Sequence, residues 1–192
     1  MPMQYYKYLL FLSLIGSLGL KSCSVQKLNT DNTLDIGAPY QGGILFYLFQ
    51  EGDIGYVAGE WHGLIVAPSD QSTEVEWGCY GARIKGANRT AIGTGAQNTL
   101  AILADCSEAG IAARVCDELV LEGYDDWFLP SKDELNLLYL NKDAMSGFGN
   151  FYYWSSTEYG SFNGWGQDFF SGYQYGYFDE YGYGYVRAVR AF

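Results

Sequence analysis

Residues 171–192 read SGYQYGYFDEYGYGYVRAVRAF, and the first fifteen of them carry six of the 18 tyrosines of the chain, spaced mostly by glycine. Exposed rings threaten solubility and glycine loosens the backbone, so the concentration needs a reason. A disordered low-complexity tail is the first reading. It fails on VRAVRAF at 186–192, which is alternating, partly β-branched and free of glycine, and a strand there must pair with something ordered. A single long strand packed on the core is the second. It would have to run through Tyr173, Tyr175, Tyr177, Tyr181, Tyr183 and Tyr185, well beyond the usual five or six residues or so. A turn at Phe178-Asp179-Glu180 divides it instead. What remains is a terminal strand with a loop-rich, ring-bearing segment before it.

Working outward, GILFYLF from Gly43, GYVA from Gly55 and HGLIVAPS from His62 are short apolar runs broken by Gly, Asp and Pro, the pattern of strands. Three helices follow. In TGAQNTLAILAD, Thr94 and Gln97 have capping-box spacing, and Leu100 and Leu103 share a face. In SEAGIAARVCDELVLEG, Ser107 is the N-cap candidate, Ala109, Ala112, Cys116 and Leu119 or Val120 form the inward stripe, and Gly123 ends the helix. After DWFLP, Ser131 and Glu134 form a second capping box ahead of Leu135, Leu138 and Tyr139. No unit of 20 to 50 residues or so repeats. Strands flanking a helical middle, with a strand at the end of the chain, predict one α+β domain over residues 42–192.

Residues 1–22 place Lys7 before an apolar run from Leu9 to Leu20. This is shorter than the 18 to 20 residues or so that span a bilayer, and it reads as a signal peptide. Leu20-Lys21-Ser22-Cys23 resembles a lipobox, in which Cys23 is lipidated, although Lys21 departs from that pattern. The expectation is an exported lipoprotein at the outer membrane or cell surface, with residues 23–41 as a polar tether reaching about 20 to 25 Å. Cleavage before Cys23 removes two of the 11 basic residues and none of the 22 acidic ones, leaving a net charge of −13. Nucleic acid, sulfated polysaccharide and anionic lipid are repelled by such a surface unless a local basic patch exists, and the sequence shows none.

Cys79, Cys106 and Cys116 remain after cleavage, and export favours one disulfide. A helix beginning just after Cys106 would hold it about 15 Å from Cys116, too far to bond. Cys79 with Cys106, or three buried thiols, are the alternatives left.

Catalytic chemistry finds little support. His62, the single histidine, has no nucleophile or carboxylate pattern beside it and reads as a structural strand-edge residue. The pairs Asp125-Asp126, Asp133-Glu134 and Asp179-Glu180 lack a calcium-loop pattern, and the second suits the first turn of a helix. No Cys/His spacing suits zinc, and the glycines near GTGAQ lack the context of a phosphate loop. The chain is expected to be no enzyme and to need no cofactor or metal. The tail composition instead suits a binding surface: tyrosine supplies about 150 to 250 Å² of area at the cost of two χ angles, beside adaptable Ser, Gly and Asn.

Four stretches in order carry a family resemblance: PSDQSTEVEWGCYGARIKGANRTAIGTGAQNT from Pro68, GIAARVCDELVLEGYDDWFLPSKDELNLLY from Gly110, YWSSTEY from Tyr153, and VRAVRAF. Together, over about Gly42 to Phe192, they resemble the C-terminal domain family of the collagen-like bacterial adhesin, which has a C-type-lectin-like fold. Within it, residues from about 154 to 192 resemble the variable region of a target protein of a diversity-generating retroelement. There, adenine mutagenesis scatters asparagine codons into codons ending in a pyrimidine while a frame stays fixed. The frame would be Trp154, Ser155, Ser156, Thr157, Glu158, Tyr159, Trp165, Gln167, Phe169, Gly172, Gln174 and Val186 to Phe192. The ligand-binding positions would be Gly160, Ser161, Phe162, Asn163, Gly166, Asp168, Phe170, Ser171, Tyr173, Tyr175, Gly176, Tyr177, Phe178, Asp179, Tyr181, Gly182, Tyr183, Gly184 and Tyr185.

The resemblance also implies that the first strand, near GILFYLF, lies beside the last, and that the variable positions share one face above a fixed tail strand. The implied activity is binding of a protein or glycan ligand at the cell surface, without nucleic acid. An adhesin of fixed polysaccharide specificity is the alternative, sulfated glycan being the ligand of the family's namesake. An enzyme like those that generate formylglycine would need a cysteine pair and metal that this sequence does not match.

Overall fold

The structure, a computed structural model, describes residues 34–179 and 182–192, so the expected signal peptide and most of the expected tether lie outside the described residues. The chain forms β1 (Pro39–Tyr40), β2 (Gly43–Leu48), β3 (Gly63–Val66) and β4 (Ser72–Val75), then α1 (Gly95–Asp105), α2 (Ala112–Asp117) and α3 (Lys132–Met145). It finishes with β5 (Tyr152–Gly160), β6 (Asn163–Asp168), β7 (Gln174–Asp179), β8 (Gly184–Val186) and β9 (Val189–Ala191). The fold is α+β, with one sheet ordered β1-β2-β3-β9 and another ordered β4-β8-β5-β6-β7. The folded unit begins before residue 42: β1 pairs with β2, and the Gly37 N–H donates to the Leu45 carbonyl, so the end of the expected tether belongs to the domain.

GLIV in β3 is apolar at every position because both sides of its sheet are covered. Ile65 faces one buried cluster with Trp77, Trp127, Leu129 and Trp154, while Leu64 and Val66 face another with Phe46, Leu135, Leu138, Tyr153 and Phe169. Each fully buried Leu, Ile or Phe contributes about 1.5–3 kcal/mol.

The tail is not one strand. VRAVRAF begins in β8 of one sheet and ends in β9 of the other, so its middle crosses between them. Arg187 fills the crossing at 1% exposure. Its Nε donates to Asp70 at 2.6 Å and its Nη1 to the Ala67 carbonyl at 3.1 Å, with the guanidinium 4.1 Å from the Phe148 ring centre. Arg190 does the same at the other sheet, forking onto both oxygens of Asp126 at 2.6 and 2.9 Å and lying over Tyr124. The neighbour of β9 is β3, not β2, which corrects the expected pairing with GILFYLF. Strand order puts β3 between them, and the two ends of the domain still meet where the Tyr40 and Phe192 rings lie 4.8 Å apart. Phe178 and Asp179, expected to open a turn, instead lie in β7 paired with Gly164 and Asn163, and Glu180 lies outside the described residues.

Of the helices, α3 has both capping-box bonds between Ser131 and Glu134. α1 does not: the Thr94 hydroxyl donates to the Ala91 carbonyl instead of capping. Its inward face is also polar, carrying Asn98 and Thr99 beside Ile102, with Leu100 turned to solvent. Asn98 exchanges bonds with the backbone of Arg89, and the Thr99 hydroxyl accepts from the Leu129 N–H. α2 is shorter than expected, starting at Ala112 rather than near Ser107, ending well before Gly123, and leaving Ala109 and Val120 exposed. Cys79 and Cys106 form a disulfide and Cys116 is a buried thiol. His62 ties down the chain end, its Nδ1 lying 2.9 Å from the Phe192 carbonyl. No helix among the described residues is long and apolar enough to cross a membrane.

Candidate functional site

The candidate surface is built on β5-β6-β7, and its frame is buried for local reasons. Trp154 lies inward and its Nε1 donates to the Val75 carbonyl at 2.9 Å. Ser155, through Oγ, donates to the Trp165 carbonyl at 2.8 Å. Thr157 Oγ1 donates to the Arg89 carbonyl at 2.8 Å and accepts from the Lys132 N–H at 3.0 Å. Glu158 accepts from the Ile84 N–H at 2.6 Å. Gln167 donates to Asn136 and to the Gly172 carbonyl, while Gln174 reaches the Lys132 carbonyl. Thr157, Glu158, Gln167 and Gln174 thus fasten the segments at Arg89, Ile84, Asn136 and Lys132 to the sheet. Of the expected frame, Tyr159 and Ala191 are exposed, Tyr159 standing edge-on to Trp165 at 5.2 Å.

The expected binding positions divide into groups. Phe170 is 74% exposed, Tyr173 67%, Tyr183 58%, Phe162 51% and Tyr175 41%; Ser171 is exposed too. Gly160, Ser161, Asp168, Gly182 and Tyr185 are half-buried. Tyr185 stacks on Phe151 at 4.2 Å and 5°. Asp168 is spent on its own turn: it accepts from the Ser171 hydroxyl at 2.7 Å and the Phe170 N–H at 2.8 Å, bonds that hold its carboxyl below the usual range, the Ser171 hydroxyl foremost. Gly166, Gly176 and Gly184 are buried and present no surface to a partner. They are floor positions, because a Cβ there would meet the rings of Tyr152, Tyr159 and Trp154 respectively. Glu180, Tyr181 and the side chains of Asn163, Tyr177, Phe178 and Asp179 lie outside the described residues, as does Cys23.

The exposed rings do not share one compact face. Phe162 sits at the β5–β6 turn, whereas Phe170 and Tyr173 sit in the β6–β7 connection. The six residues of β6 between them span about 20 Å at ~3.3 Å per residue. Tyr183 lies elsewhere again, beside a groove of about 410 Å³ lined also by Glu74, Glu76 and Glu108.

Two features escaped the sequence reading. Arg83 and Lys85 line a groove of about 340 Å³ with Asn88 and Glu158, and neither cation forms a salt bridge among the described residues. Two basic side chains thus stand together beside one carboxylate, which the sequence reading did not bring together. Fixed rings also adjoin the expected variable ones, Phe151 against Tyr185 and Tyr80 edge-on to Phe162 at 5.1 Å. Cys79, Cys106 and Glu108 bring metal-binding atom types together, but the two sulfurs are bonded to each other and Glu108 accepts from the Cys79 N–H at 2.8 Å.

At residues 67–190 the chain matches the profile of a family described as the Lcl C-terminal domain. A search of curated proteins finds no match.

Proposed function

The chain belongs to the Lcl C-terminal domain family, and from that premise we propose an exported, lipid-anchored receptor or adhesin that binds protein or glycan at the cell surface without catalysis. The family suggests an adhesin-like surface domain. The finer reading is a C-type-lectin-like domain whose Tyr-rich surface is diversified by a retroelement, held to the membrane through Cys23 and needing no cofactor or metal. One observation carries it: Phe162, Phe170, Tyr173, Tyr175 and Tyr183 stand in solvent, while Trp154 to Glu158, Gln167, Phe169 and Val186 to Arg190 are buried. Side chains can thus change on one set while the other preserves the backbone. The extent of the ring-bearing surface suits a macromolecule, whose standard interface covers about 800 Å² per partner.

Sequencing the flanking genome tests diversification. The expected result is an adenine-rich near-copy of the last forty or so codons beside a reverse-transcriptase gene; their absence removes that claim and leaves the adhesin reading. The groove lined by Arg83 and Lys85 favours a second reading, a fixed adhesin for an acidic polysaccharide. A glycan array read at increasing salt separates the two, since polyanion binding weakens steeply with ionic strength.

A further inference from the structure

The segment Trp77–Gly81 lies outside the tail in sequence and against it in space. It passes over β6, where Trp77 covers Gly164, and its indole N–H donates to the Ser155 carbonyl at 2.8 Å. The next residues are pinned at short intervals. Cys79 is bonded to Cys106 at the end of α1, its N–H donates to Glu108, and the Gly81 N–H donates to the Ser161 carbonyl at 2.7 Å. Cys79 takes a φ of 51°, left-handed backbone that a non-glycine residue keeps only where its surroundings impose it. Tyr80 is the outcome of these constraints. Its ring stands edge-on to Phe162 and is still 40% exposed.

We propose that Tyr80 is a permanent ligand contact, so that the disulfide-held segment Trp77–Gly81 supplies an unchanging half of the binding surface beside the changeable half at Phe162. The inference rests on the binding role proposed for the tail. The partner is a protein presenting an apolar side chain to two rings set at 64° to each other. A ring on a segment fixed in advance by a disulfide and three hydrogen bonds loses little freedom on binding, which raises affinity whatever stands at position 162. Retroelement mutagenesis of residues 154–192 would leave Tyr80 untouched, so every variant would inherit it.

The test uses the surface-displayed full chain with positions 162, 170, 173, 175 and 183 randomised, selected against hen lysozyme as the probe protein. Tyr80→Ser, Tyr80→Phe and Tyr80→Leu are then introduced into several independent binders. Tyr80→Ser is expected to weaken lysozyme binding about tenfold or more in most of them, Tyr80→Phe to preserve it, and melting to stay within a few degrees. Where the serine variant melts early, Tyr80→Leu keeps an apolar side chain against whatever stands at position 162 and is expected to weaken binding about threefold or more. Binders indifferent to both Tyr80→Ser and Tyr80→Leu would overturn the inference and leave the tail's role intact. A folded library that yields no binder would overturn the tail's role, and this inference with it.

Discussion

Tyr173 to Tyr185 and Val186 to Arg190 adjoin in sequence and differ in almost everything else. In the first stretch, Tyr173, Tyr175 and Tyr183 hold rings in solvent; in the second, Val186, Arg187, Ala188, Val189 and Arg190 are all buried. Both contain residues that dislike their surroundings, rings in water and guanidinium groups in a core. The difference is that both buried cations have polar partners, Asp70 and two carbonyls for Arg187, Asp126 and Gln41 for Arg190, whereas Tyr173 and Tyr175 lie largely in solvent with their rings 6.3 Å apart. The exposed rings of the first stretch can therefore change at small cost to the fold, and the residues of the second cannot.

The largest expected effect is in the buried stretch. Arg187→Ala leaves Asp70 uncompensated and strips partners from two carbonyls, and should cost about 3–5 kcal/mol. At 2–4 °C or so per kcal/mol, a thermal melt should fall by about 10 °C; an unchanged melt would erase the distinction between the stretches. Next comes the double replacement Cys79→Ser with Cys106→Ser. The disulfide closes a loop of 27 residues, for which chain entropy gives about 3–4 kcal/mol. The check is a denaturant titration against the oxidised protein. Gly184→Val ranks third. Its Cβ would come within 2.6 Å of Trp154 Nε1, which is itself committed to the Val75 carbonyl, and the overpacking should cost about 1–3 kcal/mol. A neutral result would return Gly184 to the exchangeable set and sharpen the boundary between the stretches.

How much of this could be read in the sequence depended on whether the partners of a residue are local. The capping box of α3 was legible because Ser131 and Glu134 satisfy one another within four residues. That carboxylate also accepts from the distant Gly93 and Gly95 N–H groups, and burial pushes it up to about 7; nothing near Glu134 in sequence announces this. The same spacing at Thr94 misled, since its hydroxyl bonds the Ala91 carbonyl. The inward side of α1 was misread for a related reason: Asn98 and Thr99 look like surface residues until Arg89 and Leu129 supply their partners. Alternation in VRAVRAF identified strand, but the passage from one sheet to the other depends on Asp70 and Asp126, far back in the chain. At the candidate site, the exposed rings were visible as composition. Tyr80 was not, because a single tyrosine in a loop carries no pattern and its neighbour Phe162 is brought to it by the disulfide and by Trp77.

The most direct test is the thermal melt of the full chain carrying Phe170→Ser, Tyr173→Ser, Tyr175→Ser and Tyr183→Ser together. Rings that stand outside the core predict a midpoint within about 4 °C of the parent. A fall of more than about 10 °C would place those rings in the work of holding the fold together and contradict the account.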